Sequence, residues 1–249
     1  MTNNFENRAV LVSGAGKGIG KQIALTFAEN GASVAFFDRD EKLVGEVVEE
    51  INQVGKKIFA KVLDVSKIEQ IDSFLRTIKT QFGEIDILVN NVGTGLVKKF
   101  FQTSKEDFDL VFSTNFKGSF FLTQKVAKEM KTGSSIIFIT SIHAEHPSLD
   151  PTYDGSKAAI NSLVANLALE LAPKGIRVNA VAPGHIDVET RGEPRQQSDV
   201  PLGKKAGLPQ DVAKACLFLA DNEKARYITG AILPVTGGLH IPIAKDIKF

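Results

Sequence analysis

The chain has 249 residues, enough for one large α/β domain with an ample core or for two small domains. Its formal net charge is +1, and no basic or acidic block offers the surface that nucleic acid or acidic lipid requires. Cys216 is the only cysteine, which excludes an internal disulfide and any multi-cysteine metal site. It falls in the apolar stretch Val212–Ala220, where a buried helical thiol is expected. Residues 1–8 are polar, unlike a signal peptide, and no apolar run approaches membrane-spanning length. The expectation is a soluble cytoplasmic protein without nucleic-acid or membrane partners.

In chain order, short β-rich runs alternate with longer amphipathic ones. Strands are predicted at Ala9–Ser13, Ser33–Phe37, Ile58–Leu63, Ile85–Val89, Ser135–Ser141, Arg177–Val181 and Ala231–Val235. Helical periodicity occupies the intervals near 18–30, 41–54, 67–82, 105–130, 153–172 and 209–221. Most of the strand runs are apolar on both faces, as strands between two helix layers should be. Seven strands with six intervening helices imply a doubly wound parallel sheet of Rossmann type, built by right-handed crossovers. No linker, repeat or low-complexity tract interrupts the pattern, so residues 1–249 read as a single domain.

The first strand runs into Ser13-Gly14-Ala15-Gly16-Lys17-Gly18-Ile19-Gly20, and a helical pattern follows directly. Glycines there let the backbone turn tightly and approach a pyrophosphate, whose charge then meets the amides of a helix N-terminus. Asp38 ends the second strand, where an acid can accept hydrogen bonds from a ribose or act simply as a turn residue. Tyr153 and Lys157 stand four apart at the start of a helical pattern and would share one face. A tyrosine is a weak base at neutral pH, with an ordinary pKa of about 10, but a nearby cation favours the phenolate. A drop of roughly three units needs about 4 kcal/mol, so a second positive charge would help. Taken alone, the pair could also be two surface residues.

Together these residues resemble the single-domain branch of the short-chain dehydrogenases/reductases, over nearly the whole chain. Gly14, Gly18 and Gly20 have that family's glycine spacing. Asp64-Val65 resembles its adenine-contacting pair, and Asn90-Asn91-Val92-Gly93 its segment after the fourth strand. Asn115 resembles the family's helical catalytic asparagine, and Ser141, Tyr153 and Lys157 the rest of its tetrad. Pro183-Gly184 and Thr236-Gly237-Gly238 also match. The resemblance implies NAD as cofactor, contacted by Gly14, Lys17, Gly18, Ile19, Gly20, Asp38, Asp64, Val65, Asn91, Gly93, Tyr153, Lys157, Pro183, Gly184 and Ile186. It implies that Tyr153 moves the proton of an alcohol or carbonyl substrate. Lys157 would lower the tyrosine's pKa and hold the ribose, Ser141 would orient the substrate oxygen, and Asn115 would hold a relay water. It also implies a homotetramer, paired through the helices at 105–130 and 153–172, with Phe108, Val111, Phe112, Leu163, Leu167 and Leu171 available.

Three departures stand out. Val92 replaces an alanine. Ser141 lies 12 residues before Tyr153, one fewer than usual, while Thr140 keeps the usual separation; strand alternation favours Ser141 on the catalytic face. Val188 stands where the family has a hydroxyl residue for the carboxamide, so that contact is lost or passes to Thr190. His143 and His146 after Ser141, and His185 after Gly184, border the expected pocket as substrate contacts or as plain loop. A metal there would lack ligands, Asp150 being the only nearby addition, and none is expected. The lid near 187–204 is short and polar, which tilts the substrate toward a sugar or polyol unless its charges face water. Alternative readings are a 3-oxoacyl-carrier-protein reductase or a catalytically silent cofactor-binding scaffold.

Overall fold

A computed structural model describes residues 5–189 and 194–241. Its strands are β1 (Ala9–Ser13), β2 (Ser33–Asp38), β3 (Ile58–Val62), β4 (Ile87–Asn90), β5 (Ser135–Ile139), β6 (Arg177–Pro183) and β7 (Ile232–Val235). All pair in parallel, in the order β3-β2-β1-β4-β5-β6-β7. The helices are α1 (Gly18–Glu29), α2 (Glu41–Gln53), α3 (Ile68–Phe82), α4 (Lys105–Phe112), α5 (Ser119–Ala127), α6 (Pro151–Leu171) and α7 (Pro209–Ala220).

Strand alternation sorts the apolar side chains into two layers. Val10, Val12, Val34, Phe36, Val89 and Ile137 face α1, α2 and α7, among them Phe27, Val47 and Cys216. Leu11, Ala35, Phe37, Leu88, Ile136 and Phe138 face α3, α5 and α6, among them Phe74, Leu122 and Val164. The doubly wound, single-domain architecture expected from the sequence is the one observed. Cys216 is fully buried, and its apolar surroundings push the thiol pKa well above the ordinary range.

Strand order reverses between β1 and β4, so the chain leaves these neighbours in opposite directions and opens a crevice at their carboxyl ends. Asn91 bridges it. Its Nδ2 donates to the carbonyls of Ser13 (3.2 Å) and Gly14 (2.7 Å), and its amide donates to Ser13 Oγ at 2.9 Å. Gly20 is required beneath this bridge, because a Cβ there would lie 2.1 Å from the Gly14 carbonyl oxygen and 2.3 Å from Asn91 Nδ2.

Two elements differ from expectation. The helix predicted over 105–130 is two α-helices joined by a π-helical turn at Ser113–Gly118, whose wider winding carries Asn115. Hydrophobic periodicity does not register such a turn. Helix α6 begins at Pro151 rather than 153, because Asp150 caps it and proline suits the first turn. Of the apolar residues reserved for assembly, Val111, Leu163 and Leu171 are buried within the chain's own core. Phe108 remains exposed, stacked on Phe112 at 4.4 Å.

Candidate active site

The crevice is a cleft of about 730 Å³ running from the glycine loop to Tyr153. Gly14, Lys17, Gly18, Ile19, Gly20, Asp38, Asp64, Val65, Asn91, Gly93, Ser141, Tyr153, Lys157, Pro183, Gly184 and Ile186 all line it. Sequence positions from 14 to 186 therefore converge on one surface.

At one end, Gly14 and Gly18 adopt left-handed backbone (φ 65° and 56°), which only glycine does without strain. Lys17 precedes α1 in extended backbone and makes no side-chain hydrogen bond to the helix N-terminus. Asp38 Oδ2 accepts the Gly16 amide at 2.9 Å and Oδ1 the Asp40 amide at 3.3 Å. Its carboxylate is thereby fixed at the cleft wall, with Arg39 beside it. Val92 packs on the loop: a Cβ on Gly14 would meet its Cγ2 at 2.9 Å. Val188 lies across from Gly18 on the lid side. Thr190, the alternative carboxamide contact, is outside the described residues.

At the other end, Lys157 is buried and donates to the Ile139 carbonyl at 2.9 Å, with its Nζ 5.7 Å from the Tyr153 ring centre. Burial lowers its pKa to about 8. Desolvation raises the Tyr153 pKa above its ordinary value; a hydrogen bond with Ser141 works the other way, and Asp154 and Asp150 add to the rise. The expected lowering of the tyrosine's pKa by Lys157 is therefore absent here, because the ammonium is turned to the end of β5 rather than to the phenol. Ser141, not Thr140, meets the tyrosine. Thr140 Oγ1 instead donates to the Val181 carbonyl at 3.3 Å, although both residues line the cleft.

Asn115 is fully buried behind the cleft wall. Its Oδ1 accepts the Thr94 amide at 2.8 Å, while Nδ2 donates to the Thr94 carbonyl and to Ser156 Oγ, each at 2.9 Å. Ser156 Oγ passes the chain on to the Tyr153 carbonyl at 2.7 Å. The side chain thus braces the loop after β4 against α6, with both Nδ2 hydrogens engaged and one Oδ1 lone pair left for a water. Thr94, Gly95 and Ser156 are site residues that sequence reading missed; only Ser156 carried a signal, one helical turn from Tyr153's neighbour Thr152.

The three histidines are not brought into the cleft. His143 Nδ1 bonds the His146 carbonyl oxygen at 2.9 Å, and His146 Nδ1 the Ile142 carbonyl at 3.3 Å, so both rings fold back on their own turn. His185 instead faces Asp199 at 3.8 Å. Among the described residues, no three His, Cys, Asp or Glu side chains gather as a metal site.

Comparison with known proteins agrees with this architecture. The family model described as enoyl-(acyl carrier protein) reductase matches residues 14–240. The 7alpha-hydroxysteroid dehydrogenase of Escherichia coli (strain K12) is 38% identical over 244 residues, covering 94% of each chain. The 3-oxoacyl-[acyl-carrier-protein] reductase of Thermotoga maritima is 35% identical, over 95% of this chain and 99% of the relative. A solved 7 alpha-hydroxysteroid dehydrogenase, complexed with NADH and 7-oxo glycochenodeoxycholic acid, superposes with a TM-score of 0.87 at 37% identity, covering 95% of this chain and 96% of that one. The chain belongs to the short-chain dehydrogenase/reductase family, and it is an oxidoreductase acting on a CH–OH or carbonyl group.

Burial of Lys157 has a consequence for stability. Below about pH 8 the folded protein holds a desolvated ammonium, a cost that disappears as the pH rises from about 8 toward the unfolded value near 10.5. Lys157→Met should therefore raise stability at pH 7 by up to about 3 kcal/mol. The advantage should shrink as the pH approaches 10, where the native lysine is already neutral in the fold. Denaturant unfolding of both proteins at the two pH values measures it.

Proposed function

We propose that the protein is an NAD(H)-dependent oxidoreductase interconverting a secondary alcohol and its ketone. The observation that carries this reading is the joining of Ser141, Tyr153 and Lys157 to the glycine loop and Asp38 by one continuous cleft. The residues fit a dinucleotide: the left-handed glycines and the uncapped start of α1 accommodate a pyrophosphate, and the amide-held Asp38 carboxylate accepts ribose hydroxyls. Asp64 and Val65 would flank the base, and Gly93, Pro183, Gly184 and Ile186 the nicotinamide end. When bound, the cofactor supplies or accepts the hydride.

In this mechanism Tyr153 gives its proton to the carbonyl oxygen in reduction or takes it from the hydroxyl in oxidation. Ser141 hydrogen-bonds the same oxygen and steadies its developing charge. Lys157 swings from the Ile139 carbonyl toward the ribose and the phenol. Beside the phenol, the Lys157 charge would offset part of the desolvation that keeps Tyr153 neutral, and an oxidised nicotinamide, when bound, would add to it. Asn115 holds the Thr94 loop and a water that reprotonates Lys157.

For the substrate, the polar lid favours a sugar or polyol. A second reading, an alcohol with an apolar alicyclic body, is favoured by the exposed Val97 and Leu149 beside the tyrosine end. It is also favoured by Asp187, whose carboxylate is buried and accepts the amides of Glu189 and Arg195, so it folds the lid and does not meet substrate. The E. coli relative named for a hydroxysteroid adds to this second reading. A carrier-protein reductase has less support, since Asp38 disfavours a 2′-phosphate. For assembly we infer a homotetramer. Exposed Phe108, Leu110 and Leu169 support it, as does the groove of about 530 Å³ lined by Phe116, Phe120 and Leu167 between α5 and α6.

Reduced nicotinamide formed across a panel of sugars, polyols, alicyclic alcohols and hydroxy acids tests the activity. Tyr153→Phe should cut turnover by about a thousandfold or more while cofactor binding persists; near-normal turnover would refute the mechanism. Asp38 and a 2′-phosphate repel by on the order of 4 kcal/mol before relaxation, at about 4 Å and an effective dielectric near 20. NAD(H) should therefore exceed NADP(H) at least about tenfold in kcat/KM, and Asp38→Ala should narrow that ratio; equal use of both by the unmutated protein would refute the role. Light scattering should return a tetramer, and a monomer at micromolar concentration would count against the assembly.

A further inference from the structure

The N-terminal turn of α6 meets the loop after β4 through one carboxylate. Asp150 is almost fully buried, and both of its oxygens are used twice. Oδ1 accepts from Thr152 Oγ1 at 2.8 Å and from the Tyr153 amide at 3.2 Å; Oδ2 accepts from the amides of Leu96 at 3.1 Å and Val97 at 2.8 Å. The first pair is a helix cap. The second pair crosses more than 50 residues of sequence and has no part in capping α6.

Two features on either side of this contact are unusual. Val97 and Leu149 both hold left-handed backbone, with φ of 54° and 69°, and both expose apolar side chains, at 91% and 72%. For a β-branched residue such a φ is an outlier that persists only where its surroundings over-determine it. The Asp150 bonds do this at Val97 directly, and Leu149 is the residue through which the chain enters the cap. Between them Gly95 rests on the tyrosine: a Cβ there would lie 3.2 Å from Tyr153 Cδ2 and 3.5 Å from Asp150 Oδ2. Burial works to raise the Asp150 pKa, but the hydrogen bonds from Thr152, Tyr153, Val97 and Leu96 outweigh it and leave it below the ordinary value, so the clamp is a carboxylate.

We propose that Asp150 is a positioning residue that presses the 94–97 loop onto the Tyr153 ring, shielding the phenol and fixing its place in the site. Its catalytic consequence rests on the oxidoreductase reading above; the shielding does not. One carboxylate sets both the start of the helix that carries Tyr153 and the wall the ring leans on. Losing the loop half of the contact would let Val97 relax toward ordinary backbone and lift Gly95 from the ring.

The chain has two tyrosines and no tryptophan, so Tyr227→Phe leaves Tyr153 as the only strong intrinsic fluorophore. Tyr153→Phe leaves Tyr227, which is 95% exposed and serves as the standard for an unshielded ring. In the Tyr227→Phe background, Asp150→Ser keeps a hydroxyl able to cap α6 but too short to reach Leu96 and Val97. Acrylamide quenching of Tyr153 should then move from well below the Tyr227 standard toward it. With a substrate found in the panel, kcat should fall roughly 10- to 100-fold. NADH affinity, read from the fluorescence of NADH itself, should stay within about twofold of the parent, because Asp150 does not line the cleft. Unchanged quenching, turnover within about twofold of the parent, or joint loss of turnover and NADH affinity would each overturn the proposal. Should Asp150→Ser not fold, isosteric Asp150→Asn carries the same test, since its carboxamide can accept along one edge only. An unmutated protein that turned over nothing in the panel would refute the oxidoreductase reading, and the quenching comparison would still decide the clamp.

Discussion

The reversal of strand order between β1 and β4 is the constraint on which the rest of this structure depends. Parallel strands end with their carboxyl-terminal groups on one edge of the sheet, and at the reversal the two connections part and leave those groups uncovered. The gap must still be held to a fixed width. Asn91 does so by bonding the Ser13 and Gly14 carbonyls across it, and Gly20 is small enough to lie under the bridge. The glycine loop, Asp38 and the loop after β4 then take their places along a wall whose spacing is already set.

The second half of the site is built by bracing side chains that do not themselves reach the cleft. Asn115 stands in a π-helical turn and bonds both main-chain groups of Thr94, then Ser156, which bonds the carbonyl of Tyr153. Asp150 reaches the same loop two residues further on, from the capped end of the same helix. The loop from Thr94 to Val97 is thus held to α6 at two points, one with neutral donors and acceptors and one with a charge. A buried polar network of this kind specifies geometry well when all its members are satisfied, which these are.

Electrostatics at the tyrosine end works against ionisation in the structure as it stands. Lys157 is desolvated and turned to the Ile139 carbonyl, and Tyr153 is half-buried near two carboxylates. Both groups are therefore displaced toward their neutral forms, and desolvated groups with shifted pKa values cluster at functional sites. The fold carries this cost through the two apolar layers on either side of the sheet.

The sequence alone determined the layer order and the identity of the chemical groups. Period-two and period-3.6 patterns are local, and they located all seven strands and each helical interval to within a few residues, because burial on both sides of a parallel sheet leaves an unbroken apolar signature. The glycine loop, Asp38, Tyr153 and Lys157 were legible because each is tied to a strand end or helix start that the pattern marks. Tertiary structure decided what depends on contacts remote in sequence. The turn at Asn115 departs from α-helical winding, and there its carboxamide pairs with Thr94, which the loop after β4 brings in. Ser141 meets the tyrosine while Thr140 is held by β6. The histidines after Ser141 turn back on main-chain oxygens of their own turn. In the sequence Asp150 stood out only as the one nearby residue that a metal site at His143 and His146 could have added. Its second pair of bonds, and the strained valine they hold, exist only where the fold sets the loop after β4 against the start of α6.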